Sequence, residues 1–222
     1  MSVMQQTYTG YTCETKEFFL LDSGAVFKNF IVGEDTVETA TAAGKLIGAT
    51  RGGSTFTATP TTRMREVDGL RGTPKGGIAI DDWTVTLLSN FIEIKPETLK
   101  AALGAADIDE GADGEYTIIR GRSAANDSDY YDNITWVGTL SGSAKPVIIQ
   151  LYNAMSTSGI SMSFADKSEA TLPVTFAATY DACGGTTDPN FAPFAIFFPG
   201  MRITPAPAPV PPAEEEDEEG GN

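Results

Sequence analysis

Residues 77–105 constrain the fold more than any other stretch of this chain. From Gly76 they read GGIAIDDWTVTLLSNFIEIKPETLKAALGA. Trp83, Val85 and Leu87 form one apolar row, opposite a mixed row of Ile78, Ile80, Thr84, Thr86 and Leu88. This is the period-two pattern of a half-buried strand, strengthened by β-branched and aromatic residues. At ~3.3 Å per residue an unbroken strand over residues 77–94 would exceed the usual height of a sheet, so a bend is expected near Ser89 and Asn90. The second half predicts a short helix. Pro96 suits the first helical position, Glu97 the positive helix end, and Gly104 a left-handed C-terminal cap. Leu99 and Leu103, four residues apart, are expected to face the sheet together.

The remaining segments are mostly strand-like. Residues 25–32 (AVFKNFIV) predict a strand after an Asp22–Gly24 turn, and residues 116–120, 133–140, 159–164 and 172–180 predict others. In the last of these, Leu172, Val174, Phe176, Ala178 and Tyr180 share one face. Residues 147–154 (VIIQLYNA) suit either a buried strand or a short helix. Residues 33–76 are rich in Gly and Thr and read as one long loop, with only short strand-like pieces such as 55–59. Residues 204–222 combine a Pro/Ala-rich spacer of polyproline II character with an acidic run, a composition that buries no core. The expected organisation is one domain over residues 1–203, with the long loop at about 33–76, followed by a flexible tail at 204–222.

Charge and missing residue types exclude several functions. Among 222 residues there are 15 Lys+Arg and 30 Asp+Glu, a net charge of −15. The run Glu214–Glu219 supplies six of the acidic charges, leaving the rest at −9. Nucleic-acid grip depends on Lys and Arg releasing counterions, so a surface this acidic argues against gripping phosphates, though it is compatible with DNA sliding past without sticking. There is no histidine, hence neither the usual general base nor the commonest zinc ligand. Cys13 and Cys183 are too few for a disulfide framework and lack metal-ligand spacing; two reduced, buried thiols are expected, with a single bridge as the alternative. The amino-terminal residues have no apolar targeting core and no run suits a membrane span, so cytoplasmic synthesis and no membrane partner are expected.

Candidate chemistry is sparse. Asp81 and Asp82 are adjacent, and adjacent strand residues point to opposite faces unless a bulge intervenes, so no acid–base dyad is expected there. The acidic turn at residues 107–115 lacks the register of a calcium loop. Gly44-Lys45-Leu46 lacks the remaining elements of a phosphate loop. We therefore expect no catalytic residues, no metal and no cofactor. One local feature goes against the global charge. Lys45, Arg51, Arg63, Arg65, Arg71 and Lys75 are opposed only by Glu66 and Asp68, a local net charge of +4. Such a cluster suits an acidic partner surface, and another copy of the same acidic chain provides one.

The order of these elements carries a resemblance. A first strand (AVFKNFIV) precedes the Gly/Thr-rich stretch. Then come Glu66-Val67-Asp68-Gly69-Leu70-Arg71-Gly72-Thr73-Pro74-Lys75-Gly76-Gly77, the Trp83 strand, PETLKAALGA, and paired strands ending in LPVTFAATYDA. Over residues 25–182 the chain resembles the major tail tube proteins of long-tailed, non-contractile bacteriophages, the siphovirus tail-tube family. The Pro/Ala and acidic tail lies outside the likeness. The resemblance implies a mainly β fold: a β-sandwich or open barrel with one short flanking helix and a long extended loop. It implies hexameric rings stacked into a hollow virion tail tube, assembled in the host cytoplasm, that conducts DNA during ejection. Implied partners are further copies of the chain and the tape-measure, tail-terminator and distal tail proteins. The long loop would reach an adjacent subunit or ring, which assigns Lys45, Arg51, Arg63, Arg65, Arg71 and Lys75 to contacts between copies. Asp82, Thr84 and Thr86 are the expected channel-lining residues. The alternatives are a β-sandwich binding module or virion decoration protein that does not polymerise, and a hydrolase using distant acidic residues.

Overall fold

The computed structural model describes residues 10–12, 14–66, 68–111, 114–164, 166–167, 169–181 and 191–200. Cys13, Cys183 and the expected tail at 204–222 lie outside the described residues. Among those described, the elements in chain order are β1 (Leu20–Lys28), α1 (Val37–Ala42), β2 (Thr50–Met64), β3 (Ile78–Phe91), α2 (Pro96–Leu103), β4 (Ala106–Glu110), β5 (Thr117–Gly121), β6 (Tyr131–Leu140), β7 (Val147–Ser156), β8 (Leu172–Ala177) and β9 (Phe194–Phe197). The protein is mainly β. The main sheet runs β1-β6-β7-β8-β3-β2, with β9 also pairing β7 and every pairing antiparallel. β7 joins the two halves: its first part pairs β9, whereas Met155 and Ser156 pair β8. β4 and β5 form a separate hairpin.

The alternation of small faces and large faces builds the core. Val85, Leu87 and Phe91 of β3 and Leu172, Val174 and Phe176 of β8 are fully buried against Val26 of β1, Ile134 and Trp136 of β6 and Leu151 of β7. This is sandwich packing, with inward residues of two sheet halves interdigitating. The indole of Trp136 lies between Gly24 and Gly138 and donates from Nε1 to the Ser23 carbonyl at 3.0 Å. Any side chain at Gly138 would enter the ring, so that strand position requires glycine.

α2 caps one side of the sandwich through small residues. Thr98, Ala101 and Ala102 are its buried positions, Leu99 packs at the core margin, and Leu103 is half-buried. The face is thus broader than the expected Leu99/Leu103 pair. Thr98 Oγ1 donates to the Ile47 carbonyl at 3.0 Å and Ser156 Oγ to the Ala102 carbonyl at 2.7 Å. A second apolar cluster, Phe27, Phe30, Ala40 and Val137, places α1 on the outer face of the β1–β6 half. There, Gln150 donates to the Phe30 carbonyl and to Thr135, and Asn133 accepts from the Phe30 amide.

Several expectations are corrected. Residues 33–76 are not one loop: they contain α1 and the 15-residue β2. β2 escaped detection because its inward residues, Phe56, Ala58 and Pro60, are mostly small, filling the space opposite Leu87, Val85 and Trp83. Among the described residues there are two α-helices rather than one. The first strand spans Leu20–Lys28 and stops before residue 32, where Asn29 takes a left-handed conformation, φ 51°. β3 continues as one strand through Ser89 and Asn90, where the expected bend was placed, and the β2 ladder is irregular opposite them, between Thr50 and Ser54. Residues 159–164 form no strand, although Ile160 and Met162 still pack on the core. Residues 147–154 belong to a strand, β7. The acidic turn is partly strand: Asp107 and Asp109 lie in β4, ion-paired with Arg122 and Arg120.

A candidate self-assembly surface

β2 and β3 form a ribbon that outgrows the sandwich. β3 pairs β8 only from Thr86 to Phe91, with one further bond from the Ala178 amide to the Val85 carbonyl. Beyond that point residues 78–84 pair with β2 alone, and the ladder is closed at the tip by Arg65 N to Gly77 O, 2.8 Å. Along residues 55–64 the outer edge of β2 has no strand partner among the described residues. An unpaired edge this long exposes a row of amides and carbonyls that can template a further strand.

The ribbon's faces are set by a bulge. Thr61 pairs Asp82 whereas Thr62 pairs Ile80, so Asp81 is the extra residue. Cross-strand partners share a face, and β2 alternates without interruption here. Pro60 with Trp83, Thr62 with Ile80 and Met64 with Ile78 therefore lie on the side of Leu87 and Val85. This overturns the expected placement of Ile78 and Ile80 beside Thr84. The core face of the sheet continues outward as an apolar strip. Its root is closed by Phe194, whose ring sits 5.5 Å from Phe56 and 5.8 Å from Trp83. Its outer part is open: Met64, Ile78 and Ile80 are 65%, 58% and 55% exposed.

The opposite face is a polar ladder. Thr57 pairs Thr86, Thr59 pairs Thr84, and Thr61 pairs Asp82. The structure thus brings Asp82, Thr84 and Thr86 together on one surface. The bulge adds Asp81 to that surface, where Arg63 holds it through Nε–Oδ2 and Nη2–Oδ1 bonds of 3.2 Å. The two adjacent carboxylates consequently share a face, contrary to the simple alternation expected from sequence. Asp81 is engaged by Arg63, which in turn is held more firmly protonated by that carboxylate. Asp82 accepts from the Trp83 amide at 2.7 Å.

The six basic residues do not form one cluster. Lys45 bonds Asp35 beside α1, and Arg51 at the root of β2 bonds Glu169 at 2.6 Å. Lys45 and the Ile31 amide hold the Asp35 carboxyl below the usual carboxylate range. Glu169 is lowered by its own backbone amide and by Arg51. Arg63, Arg65, Arg71 and Lys75 are gathered at the ribbon tip, and the last three have no ion-pair partner among the described residues.

Sequence reasoning missed one further feature. A groove of about 740 Å³ lies between the residues leading into α1, the turn at 143–146 and the end of β9. Its apolar lining includes Phe30, Val137, Ile148 and Phe197, and its charged lining is Glu34, Asp35 and Glu38 from one segment and Lys145 from the 143–146 turn. The backbone amide of Glu38 and the Thr36 hydroxyl lower the Glu38 carboxyl. Its lining comes from segments far apart in the chain, so only the fold reveals it.

No family model matches the chain, and no curated protein matches it. Among solved structures, the chain is similar to one described as the tail of an empty GTA particle computed with helical refinement in C6 symmetry. The identity is 14% and the TM-score 0.34, over 72% of this chain and 92% of that one.

Proposed function

We propose that this is a structural tail protein that polymerises with copies of itself, forming hexameric rings that stack into a hollow tail tube through which DNA passes during ejection. The observation that carries this is the β2–β3 ribbon. A soluble monomer gains nothing from a two-stranded extension with a bare edge and an unpacked apolar strip; both are satisfied when a neighbouring copy covers them. Where the ribbon of one copy meets a different surface of the next, the contact is heterologous and closes into rings or extends into filaments.

The polar face suits a water-filled channel. Threonine hydroxyls and Asp82 offer hydrogen bonding to water and a negative potential that repels phosphate, so DNA finds no sticking points. Asp82, Thr84 and Thr86 are assigned to the lumen, and the tip residues Arg65, Arg71 and Lys75 to contacts between copies. Arg63, Arg51 and Lys45 serve chiefly within the chain. The role is structural rather than catalytic, located in the virion tail. The tape-measure, tail-terminator and distal tail proteins are the further partners that follow from a tube.

Electron microscopy of the full-length protein at high concentration tests the assignment. Sixfold rings or tubes with the threonine ladder facing the lumen are expected. Persistent monomers at millimolar concentration refute it, as do small closed oligomers, the behaviour of a decoration protein or simple binding module.

A further inference from the structure

We propose that the ribbon tip of one copy seats in the groove between α1 and the end of β9 of another copy. This rests on the self-assembly reading above and supplies its donor and its acceptor. The tip presents Leu70, 54% exposed, with Met64 and Ile78 behind it; the groove presents the exposed Val37, Phe197 and Phe198, with Phe30 and Val137 buried beneath them.

Charge selects the pairing. Outside the tip, Lys45, Arg51, Lys95, Arg120 and Arg122 are ion-paired within the chain, whereas Arg65, Arg71 and Lys75 have no ion-pair partner among the described residues. Along the groove rim Asp35 is taken by Lys45, which leaves Glu34 and Glu38 without an ion-pair partner among the described residues. Each surface also carries charge of the other sign: the tip has Glu66 and Asp68, and the groove lining includes Lys145. Like charges facing each other across an interface cost several kcal/mol, so complementary patterns of this kind fix register and orientation. The other candidate occupant is the chain's own residues 201–222, which follow Gly200 at the groove's edge. Their six consecutive acidic residues are repelled by Glu34 and Glu38.

Two experiments on the full-length chain test the seat. The first places p-benzoylphenylalanine at position 70 and irradiates the concentrated protein. Cross-links between copies mapping to residues 30–38, 143–146 or 197–200 are expected; cross-links to any other surface overturn the proposal. The second reverses charge. R65E/R71E and E34R/E38R should each raise the concentration needed for assembly about tenfold or more, and the four changes together should restore it to within about threefold. Normal tubes from either double variant overturn the seat and leave the tube reading standing. A wild-type chain that stays monomeric overturns both. Circular dichroism and thermal melts of each variant identify any that fails to fold, and the cross-linking result then decides alone.

Discussion

Replacing Ile78 and Ile80 together with serine separates a surface built for a partner from one built for the fold. Both are a little more than half exposed, and their pairing partners, Met64 and Thr62, are exposed as well. Fully burying an isoleucine side chain is worth ~1.5–3 kcal/mol. With about half of each side chain still in water, covering the pair against another copy contributes about 2–3 kcal/mol per contact. The variant should therefore raise the critical concentration for assembly by roughly 30- to 150-fold, since ~1.4 kcal/mol is a factor of ten. The monomer should hardly notice, because exposed substitutions away from special features change stability by about 0.5 kcal/mol or less. Pelleting or light scattering against concentration gives the first number, and urea melts under monomeric conditions give the second. A critical concentration within threefold of the parent refutes the partner role. A monomer destabilised by more than about 1.5 kcal/mol refutes it too, since the strip would then already be covered within one chain.

Four further outcomes follow from single sites. Gly138→Ala would place a Cβ 2.0 Å from Trp136 Cη2, so it should lower stability by ~2–3 kcal/mol and shift the tryptophan emission; an unchanged melt would mean that the indole is free to move. Asp129→Ala strips the buried end of the Arg122 pair and the cap on the Asn126 amide. It should cost ~3 kcal/mol in urea unfolding, with less than 1 kcal/mol counting against a packed ion pair. Asp35, Glu38, Glu93 and Glu169 all have depressed folded-state pKa values, so their stabilisation is complete above the unfolded range near pH 4 and is lost as pH falls through their folded values. Protection of residues 31–45 against hydrogen exchange, taken relative to the intrinsic rate at each pH, should accordingly fall below about pH 4, and Asp35→Asn should flatten that dependence. Deleting Asp81 removes the bulge yet keeps Ile80 on the Trp83 side. Assembly should then survive, which microscopy of the deletion variant checks; its loss in a folded protein would assign the contact to the Arg63–Asp81 pair instead.

The sequence revealed what depended on large residues at regular spacing. The buried row of β3, the buried face of β8 and the extent of α2 from Pro96 to its Gly104 cap were all legible. β2 was hidden because a strand facing bulky neighbours fills its side of the core with Phe56, Ala58 and Pro60, and its other side with threonine. α1 was hidden for a related reason: it is one and a half turns long, with only Ala40 buried, and its Thr36–Thr39 capping box looks like ordinary loop chemistry. The bulge had left a trace. Apolar residues occupy even positions at Ile78 and Ile80 and odd positions from Trp83 to Leu87, and the parity changes across Asp81 and Asp82. A strand that must keep one apolar face through such a change has to contain an extra residue.

That extra residue explains why one ribbon can serve two purposes. Polar residues form a continuous ladder from Thr57 and Thr86 out to Asp82 and Asp81, while the apolar side stays continuous from Leu87 through Trp83 to Ile78. A regular strand with this sequence would have set Ile78 and Ile80 among the threonines, interrupting the hydrated face and stranding the apolar contact on the wrong side. With the bulge, the threonine face stays polar from Thr86 out to Asp82 and Asp81, and the apolar strip stays on the side of the core that positions it. The positive tip then sits at the end of an arm anchored by Phe56, Trp83 and Phe194, in a chain whose remaining surface is acidic. In the proposed assembly Arg65, Arg71 and Lys75 meet acidic residues of another copy, and the apolar strip sets how tightly that encounter is held.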